Sequence, residues 1–181
     1  MPPAPDTDAN KPIVRRLHDV SAAQVAALAD VLINCVEGGA SVGFMLPISR
    51  ETALTFWNRV AECVSNGERA LIIAEGANGI CGTVQLILDQ PENQPHRADV
   101  SKMLVHRRAR RRGIGEALLQ LAESTARECG KTLLVLDTAN DTAERLYERL
   151  GWVRVGAVPN FALMPDGAPC ATTFFYRDLS R

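Results

Sequence analysis

A chain of 181 residues can form one domain with a sizeable core, and its 46% apolar content excludes disorder for most of its length. The net charge of −1 argues against a dedicated nucleic-acid-binding protein, which presents a wide basic face. Its five cysteines lack Cys-x-x-Cys spacing and its three histidines are scattered, so we expect neither a disulfide framework nor a metal site.

The first third of the sequence predicts a tail, one strand and two helices. Residues 1–10 are proline-rich and acidic and lack the features of a secretory signal, so we expect a disordered tail before one domain over 11–181. Ser21 and Ser49 are placed to cap the two helices. The small side chains of 38–44 predict a flexible loop near a ligand. The strand and the helices are expected at 13–17, 21–37 and 49–67.

The rest of the sequence alternates strands and helices, which predicts a single-domain α/β fold. Strand patterns fall at 69–75, 80–88, 98–105, 133–136, 152–155 and 172–179, and helix patterns at 113–129 and 141–150. Asn78-Gly79 favours a hairpin turn, and Pro165-Asp166-Gly167 favours a turn between the last two strands. Since three strands follow one another without a helix between them, we expect a mixed, mostly antiparallel sheet flanked by helices. No apolar run approaches the ~20 residues of a membrane span.

A basic turn between a strand and a helix is the most informative feature of the chain. Free N–H groups and the dipole at a helix start attract anions, and Gly113 and Gly115 would let the backbone approach phosphate oxygens without a Cβ in the way. A dinucleotide-binding loop would need a third glycine where Leu118 stands, and no P-loop sequence is present. The alternative is a solvated basic turn or a nucleic-acid patch. The turn reads Arg107-Arg108-Ala109-Arg110-Arg111-Arg112-Gly113-Ile114-Gly115.

This turn resembles a known cofactor loop. Its Arg-x-x-Gly-x-Gly pattern, at Arg110, Gly113 and Gly115, is similar to the pyrophosphate loop of the GCN5-related N-acetyltransferases (the GNAT family), which bind acetyl-coenzyme A (acetyl-CoA). The resemblance implies the mixed-sheet fold of that family and acetyl-CoA as the acetyl donor. It implies cofactor contacts at Met103, Leu104, Val105, Arg110, Arg111, Arg112, Gly113, Ile114, Gly115, Glu116 and Asn140.

A second segment resembles the same family. The second signature of these acetyltransferases is similar to the segment NDTAERLYERLGW at Asn140, Ala143, Tyr147 and Gly151. The resemblance implies that Asn140 bonds the pantetheine arm and that Tyr147 protonates the departing thiolate. It also implies that a backbone N–H near Val105 stabilises the thioester oxygen. The alternative for Tyr147 is a core tyrosine on an apolar helix face.

Most of the chain after about residue 38 resembles the tabtoxin-resistance acetyltransferases, which acetylate the amine of a β-lactam toxin. The matching segments are 39–45, 97–100, 136–138, 154–156 and 165–167. Two acidic residues are implicated in catalysis by those enzymes, and the resemblance implies that they are Asp99 and Asp137 here. Asp99 is one methylene shorter than the glutamate expected at its position, and the stretch between Asp137 and Tyr147 is one residue short.

The chemistry of amine acetylation gives these two aspartates distinct roles. A lysine-like amine, with a pKa of about 10.4, is protonated at neutral pH and cannot attack until it loses that proton. By the two-residue period of a strand, Asp99 lies on the same face as Ser101 and Met103, while Asp137 ends the neighbouring strand. We expect Asp99 to accept the proton and Asp137 to anchor the ammonium. The alternative for Asp137 is a cap for the following helix.

The sequence therefore predicts an acetyl-CoA-dependent N-acetyltransferase that acts on a primary amine of a small molecule, such as a β-lactam toxin or an antibiotic. One alternative is a peptide or protein amine acetyltransferase. Another is a non-catalytic module that binds anions or nucleic acid through 107–112. We expect a cytoplasmic protein with no nucleic-acid or membrane partner, and a homodimer is compatible with the sequence.

Overall fold

The structure is a computed structural model that describes residues 11–180, and the tail predicted at 1–10 lies outside the described residues. The strands are β1 Ile13–Leu17, β2 Arg69–Gly76, β3 Gly79–Ile87, β4 Arg97–Val105, β5 Leu133–Thr138, β6 Val153–Leu163 and β7 Pro169–Asp178. The helices are α1 Ala22–Glu37, α2 Arg50–Ser65, α3 Ile114–Glu128 and α4 Asp141–Arg149, with a short 3-10 turn at Arg107–Ala109.

The seven strands of the described residues belong to one sheet, in the order β1-β2-β3-β4-β5-β7-β6. Every neighbouring pair is antiparallel except β4 and β5, which run parallel. That parallel pairing extends from Arg97↔Leu133 to Asp99↔Val135, although both strands continue beyond it. The predicted α/β fold with a mixed, mostly antiparallel sheet is confirmed, and the sheet opens between β4 and β5.

Helices cover both faces of the sheet and bury two apolar clusters. On the α1/α2 face the fully buried side chains include Leu28, Leu32, Trp57, Leu71 and Ile73. On the α3/α4 face they include Ile72, Leu86, Leu118, Leu119, Leu134 and Phe175. Neighbouring residues of β2 point to opposite clusters, as the two-residue period of a strand requires. Full burial of each such side chain contributes about 1.5–3 kcal/mol, so both helical layers are needed for stability.

Side-chain caps begin the first two helices, as predicted. Gln24 N–H donates to Ser21 Oγ, and Ser21 N–H donates to Gln24 Oε1, which together form a capping box. Thr52 N–H donates to Ser49 Oγ at the start of α2. None of the helices within residues 11–180 is both long and apolar enough to cross a membrane.

One extra residue interrupts the regular pairing of β4. Thr83 of β3 pairs with Leu104, and Gln85 pairs with Ser101, so three steps along β4 match two steps along β3. The irregular residue is Lys102, which has a φ of 51°, in the left-handed region that non-glycine residues seldom adopt. This is a β-bulge, which bends its strand and re-aims the side chains that follow.

The bulge changes the faces that the later side chains of β4 occupy. Asp99 and Ser101 point to the α1/α2 face, because the alternate residue Val100 packs in the α3/α4 cluster. Beyond the bulge, Leu104 packs in the α1/α2 cluster and Met103 packs on the α3/α4 side. The prediction that Met103 shares a face with Asp99 is therefore wrong, since strict alternation does not allow for an inserted residue.

The last hairpin is longer than its sequence pattern suggests. β6 was expected over 152–155, whereas it runs from Val153 to Leu163, and β7 begins at Pro169 instead of 172. Pro159 and Gly156 interrupt the strand pattern, and the pairing shifts register near both of them. β6 lies at the edge of the sheet, where a proline without an N–H can be tolerated.

The contact between α3 and β3 depends on a glycine, and its substitution should be costly. A Cβ at Gly82 would lie 3.0 Å from Ile114 Cγ2, 3.2 Å from Leu118 Cδ1 and 3.3 Å from the Leu104 carbonyl oxygen. Gly82→Val should lower the free energy of unfolding, measured with urea, by about 1–3 kcal/mol. Gly156→Val is the control, because a Cβ at Gly156 meets nothing within 4 Å. Equal losses in the two variants would contradict this explanation.

Candidate active site

The basic turn enters α3 through backbone conformations that suit an anion. Arg111 and Gly113 have φ values of 62° and 74°, both in the left-handed region. Gly113 is the N-cap of α3 and makes no side-chain cap hydrogen bond. The first-turn N–H groups, from Ile114 to Glu116, therefore have no intrahelical or capping acceptor. A Cβ at Gly113 would meet no protein atom within 4 Å, so the space beside the turn is open to a ligand.

Gly115 has a packing role that the sequence pattern did not reveal. A Cβ at this position would lie 3.0 Å from Leu146 Cδ2 of α4 and 3.2 Å from Met103 Cε of β4. Both distances are shorter than ordinary carbon contacts of about 3.5–4.0 Å. Gly115 thus allows the first turn of α3 to sit close to α4 and β4, next to the opening in the sheet.

Much of the arginine cluster is bound within the fold. Arg107 lies 4.0 Å from a Glu37 carboxylate oxygen, and Arg110 donates to the Val105 carbonyl at 3.3 Å. Arg108 donates to two backbone carbonyls of the β2–β3 hairpin. These bonds hold the turn against α1, β3 and β4. They argue against the alternative of a solvated basic patch for nucleic acid.

The second predicted signature forms the start and the buried face of α4. Asn140 is the N-cap of α4, where its Oδ1 accepts from Ala143 N–H at 3.0 Å. The alternative that Asp137 caps this helix is therefore wrong. Capping uses the side-chain oxygen Oδ1 of Asn140 and leaves its side-chain NH₂ group available to a ligand. The predicted contact between Asn140 and the pantetheine arm stays a prediction.

Tyr147 is buried in the apolar cluster on the α3/α4 face of the sheet. Its ring packs against Trp152 and Phe175, with centroid distances of 5.8 and 5.6 Å. Burial raises the pKa of the Tyr147 hydroxyl above its usual value, and the nearby negative charge of Asp137 raises it further. The residue is thus both a core aromatic, as the alternative expected, and a protonated hydroxyl that lies near one of the two predicted acids.

The two predicted acids lie on neighbouring strands and on the same face of the sheet. Asp99 is bonded through both carboxylate oxygens, to Arg97 at 2.8 Å and to Gln90 at 3.2 Å. Asp137 accepts one bond, from the Thr172 hydroxyl at 3.0 Å, and its other oxygen has no protein partner among residues 11–180. The structure therefore brings both acids to the α1/α2 face but leaves only Asp137 with a free oxygen.

Lys102 is a residue of this site that the sequence prediction missed. Its ammonium lies over the rings of Phe44 and Phe56, 5.9 and 5.5 Å from their centroids. Burial lowers the pKa of Lys102, the charge of Arg69 lowers it further, and Asp137 opposes both effects. A signal was present in the sequence, because the period of β4 places position 102 on the core face, where lysine is unexpected. A lysine at a position where the two-residue period expects a core side chain is a signal that the strand contains a bulge.

The loop between α1 and α2, residues 38–49, crosses the α1/α2 face and is tied to the last hairpin. The Ser41 hydroxyl donates to the Leu163 carbonyl at 3.0 Å, and Leu46 N–H donates to the Pro165 carbonyl at 2.9 Å. The same loop contributes Phe44, which packs edge-on against Phe56. The loop was predicted to lie near a ligand, and it is bridged across the face that carries Lys102 and both acids.

Comparison with known families identifies the class of enzyme. The model of the acetyltransferase (GNAT) family matches residues 42–152, more than half of the 181-residue chain. The chain belongs to the GNAT family of acetyltransferases. It is an N-acetyltransferase, and acetyl-CoA is its acetyl donor.

Solved structures of acetyltransferases share the fold of this GNAT enzyme. The yncA acetyltransferase from Salmonella typhimurium, with acetyl-CoA, gives a TM-score of 0.77 at 20% identity and covers 94% of this chain and 95% of its own. A phosphinothricin acetyltransferase from Sinorhizobium meliloti, in complex with acetyl-CoA, gives 0.77 at 20% identity, covering 93% and 89%. The ribosomal-protein-alanine N-acetyltransferase from Brucella melitensis gives 0.75 at 22% identity, covering 92% and 99%. These likenesses show the fold and leave the acceptor of this enzyme open.

The residues at the start of α3 fit the phosphates of acetyl-CoA. The uncapped first turn offers N–H donors, the space beside Gly113 is open, and exposed Arg111 and Arg112 add positive charge nearby. From there the opening between β4 and β5 leads to the backbone of Met103 to Val105, the segment predicted to face the thioester. Backbone groups on that side of β4 are not paired with β5 beyond Asp99.

A substitution at Gly113 should therefore separate cofactor binding from general stability. A valine in the left-handed conformation costs about 1–2 kcal/mol, and the helix start would shift to relieve that cost. Gly113→Val should weaken the binding of acetyl-CoA, measured by calorimetry, by about 10-fold or more. Gly130→Val is the matched control at the other end of α3, since Gly130 has a φ of 71° and equally open surroundings. Tight binding by Gly113→Val would place the phosphates elsewhere.

Proposed function

We propose that this GNAT enzyme transfers the acetyl group of acetyl-CoA to the primary amine of a small molecule. The observation that carries the proposal is the α1–α2 loop, whose bonds from Ser41 and Leu46 to the last hairpin partly enclose the polar face of β4 and β5. An enclosed, partly apolar site suits a small acceptor better than the surface of a folded protein. Acetyl-CoA supplies the activated thioester, and the chain's own residues place the amine and move its proton.

Asp137 is the group best suited to meet the amine. Thr172 holds one of its carboxylate oxygens and leaves the other free. We assign to Asp137 the binding of the amine and, directly or through a water molecule, the acceptance of its proton. Asp99, bonded by Arg97 and Gln90, then fixes the start of β4. This reverses the assignment made from the sequence, in which Asp99 was the proton acceptor.

Tyr147 is the group that we propose to protonate the thiolate that leaves. A tyrosine hydroxyl keeps its proton at neutral pH, as a donor to the thiolate must, and burial raises the pKa of Tyr147 further in that direction. The packing of its ring against Trp152 and Phe175 fixes the direction of that donor. Asp137 then accepts a proton on the α1/α2 face of the sheet, and Tyr147 donates one on the α3/α4 face.

The identity of the amine is best addressed with a panel of acceptors. The similar structures include enzymes for both kinds of acceptor. One is a phosphinothricin acetyltransferase, whose acceptor is a small molecule, and another is a ribosomal-protein-alanine N-acetyltransferase, whose acceptor is a protein. The sequence resemblance adds β-lactam amines of the tabtoxin type as a candidate class. Release of free thiol from acetyl-CoA should be measured with small amines, tabtoxin-type amines and peptides that have a free N-terminus. Faster turnover of peptides than of every small amine would favour the peptide-acetyltransferase alternative.

We also propose that the enzyme forms a homodimer and is located in the cytoplasm. A homodimer would cover the apolar side chains that β6 exposes, among them Val155 and Phe161, which are 68% and 51% exposed. Location in the cytoplasm agrees with a supply of acetyl-CoA. Light scattering on the purified chain and fractionation of the producing cells would test these two expectations.

Tyr147→Phe should slow turnover with little effect on binding. Phenylalanine keeps the packing against Trp152 and Phe175 but removes the proton donor, and loss of general-acid help typically lowers the rate by about 10²–10⁴-fold. Because the pKa of Tyr147 is raised, the wild-type hydroxyl stays protonated from pH 6 to 9, so kcat should fall by a similar factor throughout. The Kd of acetyl-CoA should not change. An unaltered kcat would reduce Tyr147 to a core residue.

Substitutions of the two acids should have different effects. Asp137→Asn removes the free carboxylate oxygen and should lower kcat/KM by about 10²–10⁴-fold. Asp99→Asn breaks a half-exposed ion pair with Arg97, worth at most about 1 kcal/mol of stability, and should reduce activity much less. Both variants should be assayed from pH 6 to 9 and unfolded with urea. A larger loss of kcat in Asp99→Asn than in Asp137→Asn would restore the assignment made from the sequence.

A further inference from the structure

Lys102 carries an ammonium group for which the fold provides no anionic partner in contact. Its Nζ lies over Phe44 and Phe56, and no hydrogen bond or ion pair joins it to any residue between 11 and 180. A cation over an aromatic ring gains roughly 0.5–2 kcal/mol, while a half-buried ammonium loses much of its hydration. Lys102 therefore has N–H donors on the α1/α2 face that no acceptor within residues 11–180 satisfies.

The surroundings of Lys102 are rich in hydrogen-bond donors. Gln85 is fully buried, and its side chain points to the α1/α2 face because its cross-strand partner Leu71 packs there. Arg69 donates to Gln85 Oε1 at 2.7 Å, whereas Gln85 Nε2 has no hydrogen-bond partner within residues 11–180. A buried polar atom without a partner is rare and points to a ligand or a water that completes its bonding. Arg69 itself lies close enough for its charge to lower the pKa of Lys102.

Among residues 11–180, Asp137 is the carboxylate whose charge raises the pKa of Lys102. It projects from the neighbouring strand on the same face, across the opening between β4 and β5. Lys102 and Gln85 provide hydrogen-bond donors on β4 and β3, and Asp137 provides a free carboxylate oxygen on β5. Together they form a site with one positive and one negative charge. Such a site matches an acceptor that carries a positive amine and a negative group a short distance apart.

We propose that Lys102, assisted by Gln85 Nε2, binds an anionic group of the acceptor, so that the enzyme selects amines that also carry an oxyanion such as a carboxylate. This inference rests on the proposed function, because it concerns the same acceptor site. It makes Lys102 a specificity-determining residue. The aromatic rings of Phe44 and Phe56 hold its side chain in place and exclude water from one side.

The test compares amino acids with their carboxamides, which keep the amine and the shape but lose the charge. Wild-type enzyme should favour the acid in kcat/KM by about 10- to 100-fold, the size expected for a hydrogen bond to a charged group. Lys102→Met should abolish this preference by raising the KM of the acid, with little change for the amide. Lys102→Arg should retain most of it. Lys11→Met, at an exposed position at the start of the described chain, is the control and should match wild type.

The outcomes separate this inference from the proposed function. If wild type acetylates both members of each pair equally, or if Lys102→Met lowers activity on both by the same factor, selection by Lys102 is wrong while the amine acetyltransferase stands. If no small amine is acetylated, both proposals fail. Should Lys102→Met not fold, Gln85→Glu provides a second measurement, because its carboxylate should repel the acid and raise its KM but not that of the amide. An unchanged preference in Gln85→Glu would also contradict the inference.

Discussion

The site of this enzyme depends on one inserted residue in β4. The bulge at Lys102 bends β4, and the parallel pairing with β5 ends shortly before it, at Asp99↔Val135. It also sends Met103 to the α3/α4 side, where that residue meets the glycine in the first turn of α3, and leaves Lys102 facing the α1/α2 loop. Beyond Asp99 the two strands continue without pairing, which leaves a passage between the two faces of the sheet.

In the proposed site, the two substrates approach this passage from opposite faces of the sheet. The phosphates of acetyl-CoA suit the uncapped start of α3, on the side where Gly113 leaves space. The acceptor suits the α1/α2 face, where Asp137 and Lys102 lie below a loop tied to the last hairpin. Only the thioester end of the donor has to reach between the strands. The arrangement keeps the highly charged part of the donor away from the charges that select the acceptor, so each end can be specific without disturbing the other.

Local signals in the sequence account for most of the fold and point to the turn where the donor is predicted to bind. Ser21 and Ser49 mark helix starts through backbone bonds that their own side chains make, and the glycines after the arginine run mark the uncapped turn at the start of α3. The acceptor side was harder to predict, because it depends on contacts between distant segments. The bonds from Arg97 and Gln90 that occupy Asp99 depend on how the loop before β4 folds back, and no spacing reveals them. A bulge also makes strict alternation unreliable, and for this reason the predicted face of Met103 was wrong.

The charges around the acceptor resolve a conflict in the chemistry of amine acetylation. A carboxylate that binds an ammonium also raises the pKa of that ammonium, so Asp137 alone would bind the acceptor well and deprotonate it poorly. A second positive charge close to the amine has the opposite effect, since it favours the neutral form. Burial lowers the pKa of Lys102, and Asp137 is near enough for its charge to oppose that effect. With the acceptor's oxyanion on Lys102, its amine lies between one negative and one positive side chain. In the proposed site, Lys102 thus offsets part of the rise in amine pKa that Asp137 causes, so that the same carboxylate can first bind the ammonium and then accept its proton.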